Sequence, residues 1–182
     1  MSHVRASLRL AGLAALIALG ASSAISCASS PDDSKQPLLV VDSADPAAFR
    51  LGVDAVFERR CASLDCHGTN ARGLRLYSAN GLRLPNDQGN APGTGATSAD
   101  EINANYASVV GLQPEKMNAF LQKSPRTADD AYQLIVLTKP LGLERHKGGA
   151  ALSKGEPAEQ CIVTWLTGKT DQSLCAKGSS PP

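Results

Sequence analysis

The sequence predicts a small all-α domain with long loops, and three observations lead to this prediction. Apolar residues recur at helical spacing in four or five short segments that have recognisable start or end signals. Almost no stretch shows the alternating pattern of a half-buried β-strand. The segments between the helices are rich in Gly, Asn and Pro, which predicts loops. We place this domain at residues 45–169 of the 182 residues.

The first helix is predicted from Asp45 to Cys61. Asp45 is a favourable N-cap residue, and Pro46 suits the first helical position because an N–H group there would have no helical partner. One apolar face is formed by residues at offsets of four, seven and eight from the first: Phe49, Val53, Val56 and Phe57. The helix therefore leads directly into the first of two closely spaced cysteines.

Residues 68–95 predict a long loop, because Gly, Asn and Pro are frequent and little except the repeated phrase Gly-Leu-Arg-Leu interrupts them. A loop of this length is usually functional or supported by a ligand. A second helix is predicted after Ser98, which can form a capping box with Glu101, and it ends at Gly111. Its apolar face consists of Ile102, Tyr106, Val109 and Val110.

Three further helix starts are marked by a proline or a capping residue at Pro114, Thr127 and Pro157. Pro140 ends the second of these helices and Gly168 ends the third. Their inward-facing residues are predicted to be Met117, Phe120 and Leu121; Ala131, Leu134, Ile135 and Leu137; and Cys161, Ile162, Trp165 and Leu166. We expect residues 170–182 to form a loose C-terminal tail, except at Cys175.

The N-terminal residues have the three parts of a secretory signal. Arg5 and Arg9 precede an apolar run over residues 10–21, and small residues lead from there to Cys27. The run has about a dozen residues, whereas a permanent transmembrane helix needs about 20. The segment Ala24-Ile25-Ser26-Cys27 resembles the lipobox of bacterial lipoproteins, which implies that Cys27 is acylated.

We therefore expect residues 1–26 to be a lipoprotein signal peptide and residues 27–44 to be a flexible tether. Acyl chains on Cys27 bind the lipid bilayer of the cell envelope, with the domain facing the periplasm or the cell exterior. Ordinary cleavage near residues 21–26, with a spare cysteine, is the alternative. Without the signal, acidic and basic residues are almost balanced, so no basic surface for nucleic acid is expected.

The segment Cys61-Ala-Ser-Leu-Asp-Cys66-His67-Gly68 has a histidine directly after the second of two cysteines. In covalent haem attachment, two thiols add to the haem vinyl groups and the following histidine becomes the proximal iron ligand. The segment resembles the haem-attachment motif of c-type cytochromes, in its wider form with four intervening residues instead of two. Residues 73–76 and 162–168 are similar to the cytochrome c-like domains of planctomycetes and myxobacteria.

This resemblance spans residues 48–169 and implies a cytochrome c-like helical domain with one covalent haem c, held by Cys61, Cys66 and His67. For the sixth iron ligand, the mature chain offers only His146 and Met117. We favour His146, which lies in a glycine-bearing loop before the last helix. Met117 lies on the inward face of a predicted helix, where a methionine is commonly a core residue. An open sixth position is a further alternative.

The remaining charged and cysteine residues have simpler interpretations. Arg72, Arg75 and Arg83 are candidates for pairing with haem propionates, although ordinary surface charge is the commoner role. Cys161 and Cys175 are expected to form a disulfide in an oxidising compartment. Closing a loop of about 15 residues stabilises the folded chain by about 3 kcal/mol.

We predict that the protein is an electron carrier that passes single electrons between redox protein partners in the cell envelope. An open sixth iron position would instead allow peroxidase-like or gas-binding chemistry, so enzyme activity stays an open alternative. The main alternative is a haem-free, disulfide-stapled envelope lipoprotein that acts as a binding or structural module. There Cys61 and Cys66 pair with each other, or crosswise with Cys161 and Cys175. A zinc site built from Cys61, Cys66, His67 and His146 is weaker, because the adjacent ligands Cys66 and His67 strain a tetrahedron. A thiol oxidoreductase usually has two residues between its cysteines.

Overall fold

The computed structural model describes residues 44–85 and 95–180, all within one compact unit of the chain. These residues form helices joined by long loops, and between them they contain an isolated bridge from Tyr77 to Leu82 but no β-strand. The all-α prediction is therefore confirmed for this part of the chain. The predicted signal peptide, Cys27 and nearly all of the tether lie outside the described residues. Over the two described ranges, no helix is long and apolar enough to span a membrane.

Helix α1 runs without interruption from Pro46 to Cys61 and changes its winding along the way. It consists of an α-helical turn, Pro46–Ala48, a π-helical turn, Phe49–Val53, and an α-helical segment, Asp54–Cys61. The helices that follow are α2, Ala99–Val110; α3, Pro114–Leu121; α4, Ala128–Ala131; α5, Ile135–Thr138; α6, Pro157–Leu166; and α7, Gln172–Ser179.

The predicted start of α1 is confirmed, whereas its π-helical turn was not predicted from the sequence. The Asp45 carboxylate accepts hydrogen bonds from the backbone N–H groups of Ala47 and Ala48, at 2.9 and 3.1 Å. The π turn lies where α1 contacts α7. A Cβ atom on Gly52 would lie 3.2 Å from Cβ of Cys175, so the close approach of the two helices depends on the absence of a side chain there.

The core is centred on the aromatic ring of Phe49. Its centroid lies 5.9 Å from that of Phe57, 5.4 Å from that of Tyr106 and 5.2 Å from that of Trp165. The Trp165 indole N–H donates a hydrogen bond of 2.9 Å to the carbonyl oxygen of Asp45. One cluster therefore joins α1, α2 and α6, and buried aromatic rings of this size contribute much of the energy of a small core.

The helix predicted after Thr127 is two separate turns instead of one helix. Thr127 forms the expected capping box, here with Asp130, but the helix ends after a single turn. Leu134 is extended, and the backbone N–H group of Ile135 is capped by the side-chain oxygen of Gln113 at 2.8 Å. A side chain from a distant segment thus provides the second start, which local sequence patterns do not reveal.

The prediction of a loose C-terminal tail is wrong, because this segment forms helix α7. Asp171 caps it by accepting hydrogen bonds from the N–H groups of Ser173 and Leu174. Helix α7 packs against α6 and α1, and the predicted disulfide between Cys161 and Cys175 is present. Both cysteines are fully buried. The C-terminal segment therefore belongs to the folded domain.

Candidate functional site

The two motif cysteines are joined by a tight turn at the end of α1. The carbonyl oxygen of Ser63 accepts hydrogen bonds from the N–H groups of Cys66 and Gly68, at 3.0 and 2.9 Å. The N–H group of His67 donates to the carbonyl oxygen of Cys61 at 2.9 Å. These bonds return the chain to the end of the helix and place His67 beside it.

Gly68 closes this turn because no side chain fits at its position. A Cβ atom there would lie 2.2 Å from the carbonyl oxygen of Ala62 and 2.9 Å from that of Ser63. Both contacts are with backbone atoms, which cannot rotate away as a side chain can. The glycine that follows the histidine is therefore required by packing.

Replacing Gly68 with Ala is expected to lower the free energy of unfolding by about 1–3 kcal/mol, because the turn must open to admit a methyl group. Urea unfolding of the purified chain measures this loss. Gly73→Ala is the matched control, since a Cβ atom on Gly73 meets nothing within 4 Å. Equal stability of the two variants would contradict the close packing at Gly68.

His67 is fixed by three hydrogen bonds, two from its backbone and one from its ring. Besides the bond to Cys61, its carbonyl oxygen accepts from the N–H group of Leu76 at 2.9 Å. Its ring Nδ1 lies 2.9 Å from the carbonyl oxygen of Leu74. Because a carbonyl can only accept, Nδ1 carries the proton, and the lone pair of Nε2 is left for a ligand.

The surroundings of His67 favour its neutral form. Burial lowers the pKa of the ring, the hydrogen bond to Leu74 raises it, and the charges of His146 and Arg72 lower it again. The net effect is a pKa below the ordinary value for histidine. A neutral imidazole is the form that binds a metal ion.

His146 lies next to His67, although the two are far apart in the sequence. The centroids of the two rings are 6.0 Å apart, and the ring planes are inclined by only 12°. Nδ1 of His146 donates to the carbonyl oxygen of Gly149 at 2.7 Å, in a turn that Gly149 permits by its φ of 74°. Both rings therefore have the same pattern, in which Nδ1 donates to a carbonyl and Nε2 is left for a ligand.

The centroid separation of this pair equals that of two imidazoles whose Nε2 atoms face each other across one metal ion. With metal–nitrogen bonds of about 2 Å and about 1 Å from each nitrogen to its ring centre, two opposed ligands have centroids about 6 Å apart. The observed separation is 6.0 Å. Histidine ligands also commonly donate their other ring N–H group to a carbonyl oxygen, which fixes their orientation. Both imidazoles therefore have an oriented ring and an unprotonated Nε2, the two features that a metal-binding histidine needs.

Cys61 and Cys66 are free cysteines, and both residues are partly exposed, although the thiol of Cys61 is buried. Burial, together with the charge of Cys66, raises the pKa of the Cys61 thiol to about 12. Cysteines that exchange disulfides have a lowered pKa, so this environment does not favour a thiol oxidoreductase. Across residues 44–85 and 95–180, no three His, Cys, Asp or Glu side chains come together as a metal site, so the tetrahedral zinc set is not assembled.

The structure also describes the surroundings of Met117, the alternative iron ligand, and of two arginines that were candidates for pairing with haem propionates. Met117 is 2% exposed and belongs to the hydrophobic core, as expected for an inward residue of α3. Arg83 forms an ion pair with Glu101, with N–O distances of 2.8 and 3.1 Å, so a carboxylate of the protein already binds its guanidinium group. Arg72 lies close enough to His67 for its charge to act on the ring.

Known proteins give no independent guide to this site. No protein-family model, curated protein or solved structure matches this chain. The assignment of the site therefore depends on its own geometry, above all on the relation between His67 and His146.

The sequence interpretation overlooked a polar face of α2 that holds the loop around the site. Glu101 and Asn105 are both fully buried, and Ser108 follows at the next helical spacing. Burial raises the pKa of Glu101, but hydrogen bonds from Arg83, Ser98 and Leu84 together lower it to about 2, so its carboxylate is ionised at neutral pH. In the sequence, polar residues that recur every three or four positions along a helix look like an ordinary solvent-exposed face, so their burial was not predicted.

Proposed function

We propose that the chain is a membrane-tethered, monohaem c-type cytochrome that passes single electrons between protein partners of the cell envelope. One observation carries this proposal: the imidazoles of His67 and His146 lie nearly parallel with centroids 6.0 Å apart, directly beside two free thiols. In this assignment Cys61 and Cys66 attach the haem covalently. His67 is the proximal iron ligand and His146 is the distal one.

The roles of His67 and His146 follow from how each ring is held. His67 is held neutral by burial and oriented by its bond to Leu74, so Nε2 stays available. His146 is oriented in the same way by Gly149. If His67 and His146 both held the iron, no site on it would remain for a substrate, which favours electron transfer over peroxidase or gas-binding chemistry. When bound, the haem supplies reversible one-electron chemistry, at a lower potential than a His/Met pair gives.

The membrane tether is part of the same proposal and depends on residues outside the described ranges. An acylated Cys27 anchors the chain stably, because two or more acyl chains bury enough methylene groups at about 0.8 kcal/mol each. Residues 28–43 then let the domain meet redox partners at the membrane surface.

Covalent haem is tested by staining for haem after denaturing electrophoresis. The full chain is produced in the periplasm of a host that matures cytochromes with the wider motif, and its visible spectrum is recorded. We expect a haem band that survives denaturation and a low-spin spectrum. The Cys61→Ala/Cys66→Ala variant is the control, and its haem band should be absent because no thioether bond can form.

A chain without haem, in which both motif cysteines are oxidised, would overturn this proposal. A known cytochrome with the wider motif, produced in the same host, distinguishes that result from simple failure of maturation, because its haem band shows that the host matures such motifs. The protein would then belong to the haem-free, disulfide-stapled class of envelope proteins.

A further inference from the structure

One polar face of α2 binds the backbone of the loop that follows the cysteine motif. Its three side chains each accept a hydrogen bond from a different backbone N–H group. Ser108 accepts from Arg75 at 3.1 Å, Asn105 from Tyr77 at 2.6 Å, and Glu101 from Leu84 at 2.9 Å. The loop is therefore fixed along α2 at successive helical turns.

Asn105 makes the most complete of these contacts. Its side-chain oxygen accepts from the N–H group of Tyr77, and its amide group donates to the Tyr77 carbonyl oxygen at 2.8 Å and to Asp54 at 2.9 Å. Tyr77 is thereby bound at both backbone groups, as a residue is by a neighbouring strand. Because Asn105 is fully buried, water cannot replace these bonds if the side chain is removed.

Asp54 connects this contact to α1. It is nearly fully buried, and burial followed by a hydrogen bond with Glu58 raises its pKa to about 8, while Asn105 lowers it. Asn105 therefore joins three parts of the molecule: α1 through Asp54, α2 through its own backbone, and the loop through Tyr77.

The loop segment bound by Asn105 is the one that orients His67. The N–H group of Leu76 donates to the carbonyl oxygen of His67, and the Leu74 carbonyl oxygen accepts from its Nδ1. Tyr77 directly follows Leu76, and both leucine side chains are buried. A displacement of Tyr77 therefore moves the acceptor of the ring proton.

We propose that Asn105 is a positioning residue for His67. By holding Tyr77 at both backbone groups, it keeps the Leu74 carbonyl oxygen in place to accept the Nδ1 proton, which selects one tautomer and aims Nε2. A firm Nδ1–H hydrogen bond also raises the basicity of a histidine ligand. The tautomer of His67 can be measured in the chain without haem, so this part of the proposal stands by itself. The effect on the iron's reduction potential rests on the proposed function.

The test compares Asn105→Ala with Asn103→Ala, a control on the same helix whose exposed side chain contacts Arg50. ¹⁵N NMR of the imidazole nitrogens, on the full chain produced without haem, reports the tautomer of His67. We expect a single Nδ1-protonated form in the unaltered chain and in the control, and a mixture of tautomers in Asn105→Ala. In the haem-loaded chain, the reduction potential should shift to more positive values in Asn105→Ala only.

A purely structural role for Asn105 predicts a different result. Asn105→Ala would then lower the thermal midpoint and leave both the tautomer and the potential unchanged, which overturns the proposal. If this variant does not fold, Asn105→Ser replaces it, since its hydroxyl group keeps a polar atom in the buried site but is too short to bind both backbone groups of Tyr77. Absence of haem from every variant would refute the proposed function, while the tautomer populations would still decide the role of Asn105.

Discussion

The His67→Ala variant is expected to lose the low-spin haem spectrum completely. Alanine cannot supply the ring nitrogen, and it also lacks the side-chain bond to Leu74, although both backbone bonds of residue 67 are retained. The motif thiols are unaffected, so covalent attachment remains chemically possible without a proximal ligand. A visible spectrum and a haem stain on the same sample separate loss of ligation from loss of attachment. A normal low-spin spectrum would remove His67 from the site.

Two companion variants identify the second axial ligand. His146→Ala is expected to retain the haem band on the gel and to change the spectrum from low-spin to high-spin, because the variant lacks one of the two proposed iron ligands. Met117→Ala should leave the spectrum unchanged, since Met117 belongs to the hydrophobic core. The reverse pattern would assign the sixth position to Met117.

Removal of the disulfide is expected to lower the free energy of unfolding by about 3 kcal/mol while leaving the haem spectrum unchanged. Cys161 and Cys175 are separated by 14 residues and join α6 to α7. In the chain-entropy model, the bond stabilises the fold because it restricts this loop in the unfolded chain. Urea unfolding of the Cys161→Ala/Cys175→Ala variant measures the loss.

The matched control for this variant is Cys61→Ala/Cys66→Ala, studied in the haem-free chain. It also removes two cysteines, but these are free thiols, so its loss of stability should be clearly smaller. If the two double variants were equally stable, the disulfide would not be a main source of stability. A changed haem spectrum in the disulfide variant would show that α7 supports the site as well as the fold.

Local signals in the sequence predicted where most helices begin. Asp45, Ser98 and Thr127 each cap the helix start that was expected, because a side-chain oxygen next to free N–H groups acts over only a few residues. The apolar face of α1 was predicted equally well, since its four apolar residues are all buried. Such features depend on neighbours in the sequence and therefore remain visible in it.

Features that depend on distant contacts were missed. Helix α7 is too short to be stable alone and exists because it packs against α6 and α1. The π-helical turn of α1 lies at the same contact, and the start of α5 is capped from Gln113. No local pattern in the sequence encodes these partners.

The residues of the candidate site also differ in whether the local sequence reveals them. The motif from Cys61 to Gly68 is continuous in the sequence and could be recognised there. His146 was selected by elimination, but its distance from His67 is set by a separate loop before α6 and became known only from the structure. Asn105 was missed because a polar residue on an amphipathic helix resembles a solvated one.

The burial of the disulfide also limits the access of small reducing agents to it. Thiol–disulfide exchange requires direct attack on a sulfur atom, so a shielded bond reacts slowly whatever its equilibrium potential. The sulfur atoms of Cys161 and Cys175 lie within the packed contact between α6 and α7, and both residues are fully buried. Mild reductants are therefore expected to leave this bond intact as long as the chain stays folded.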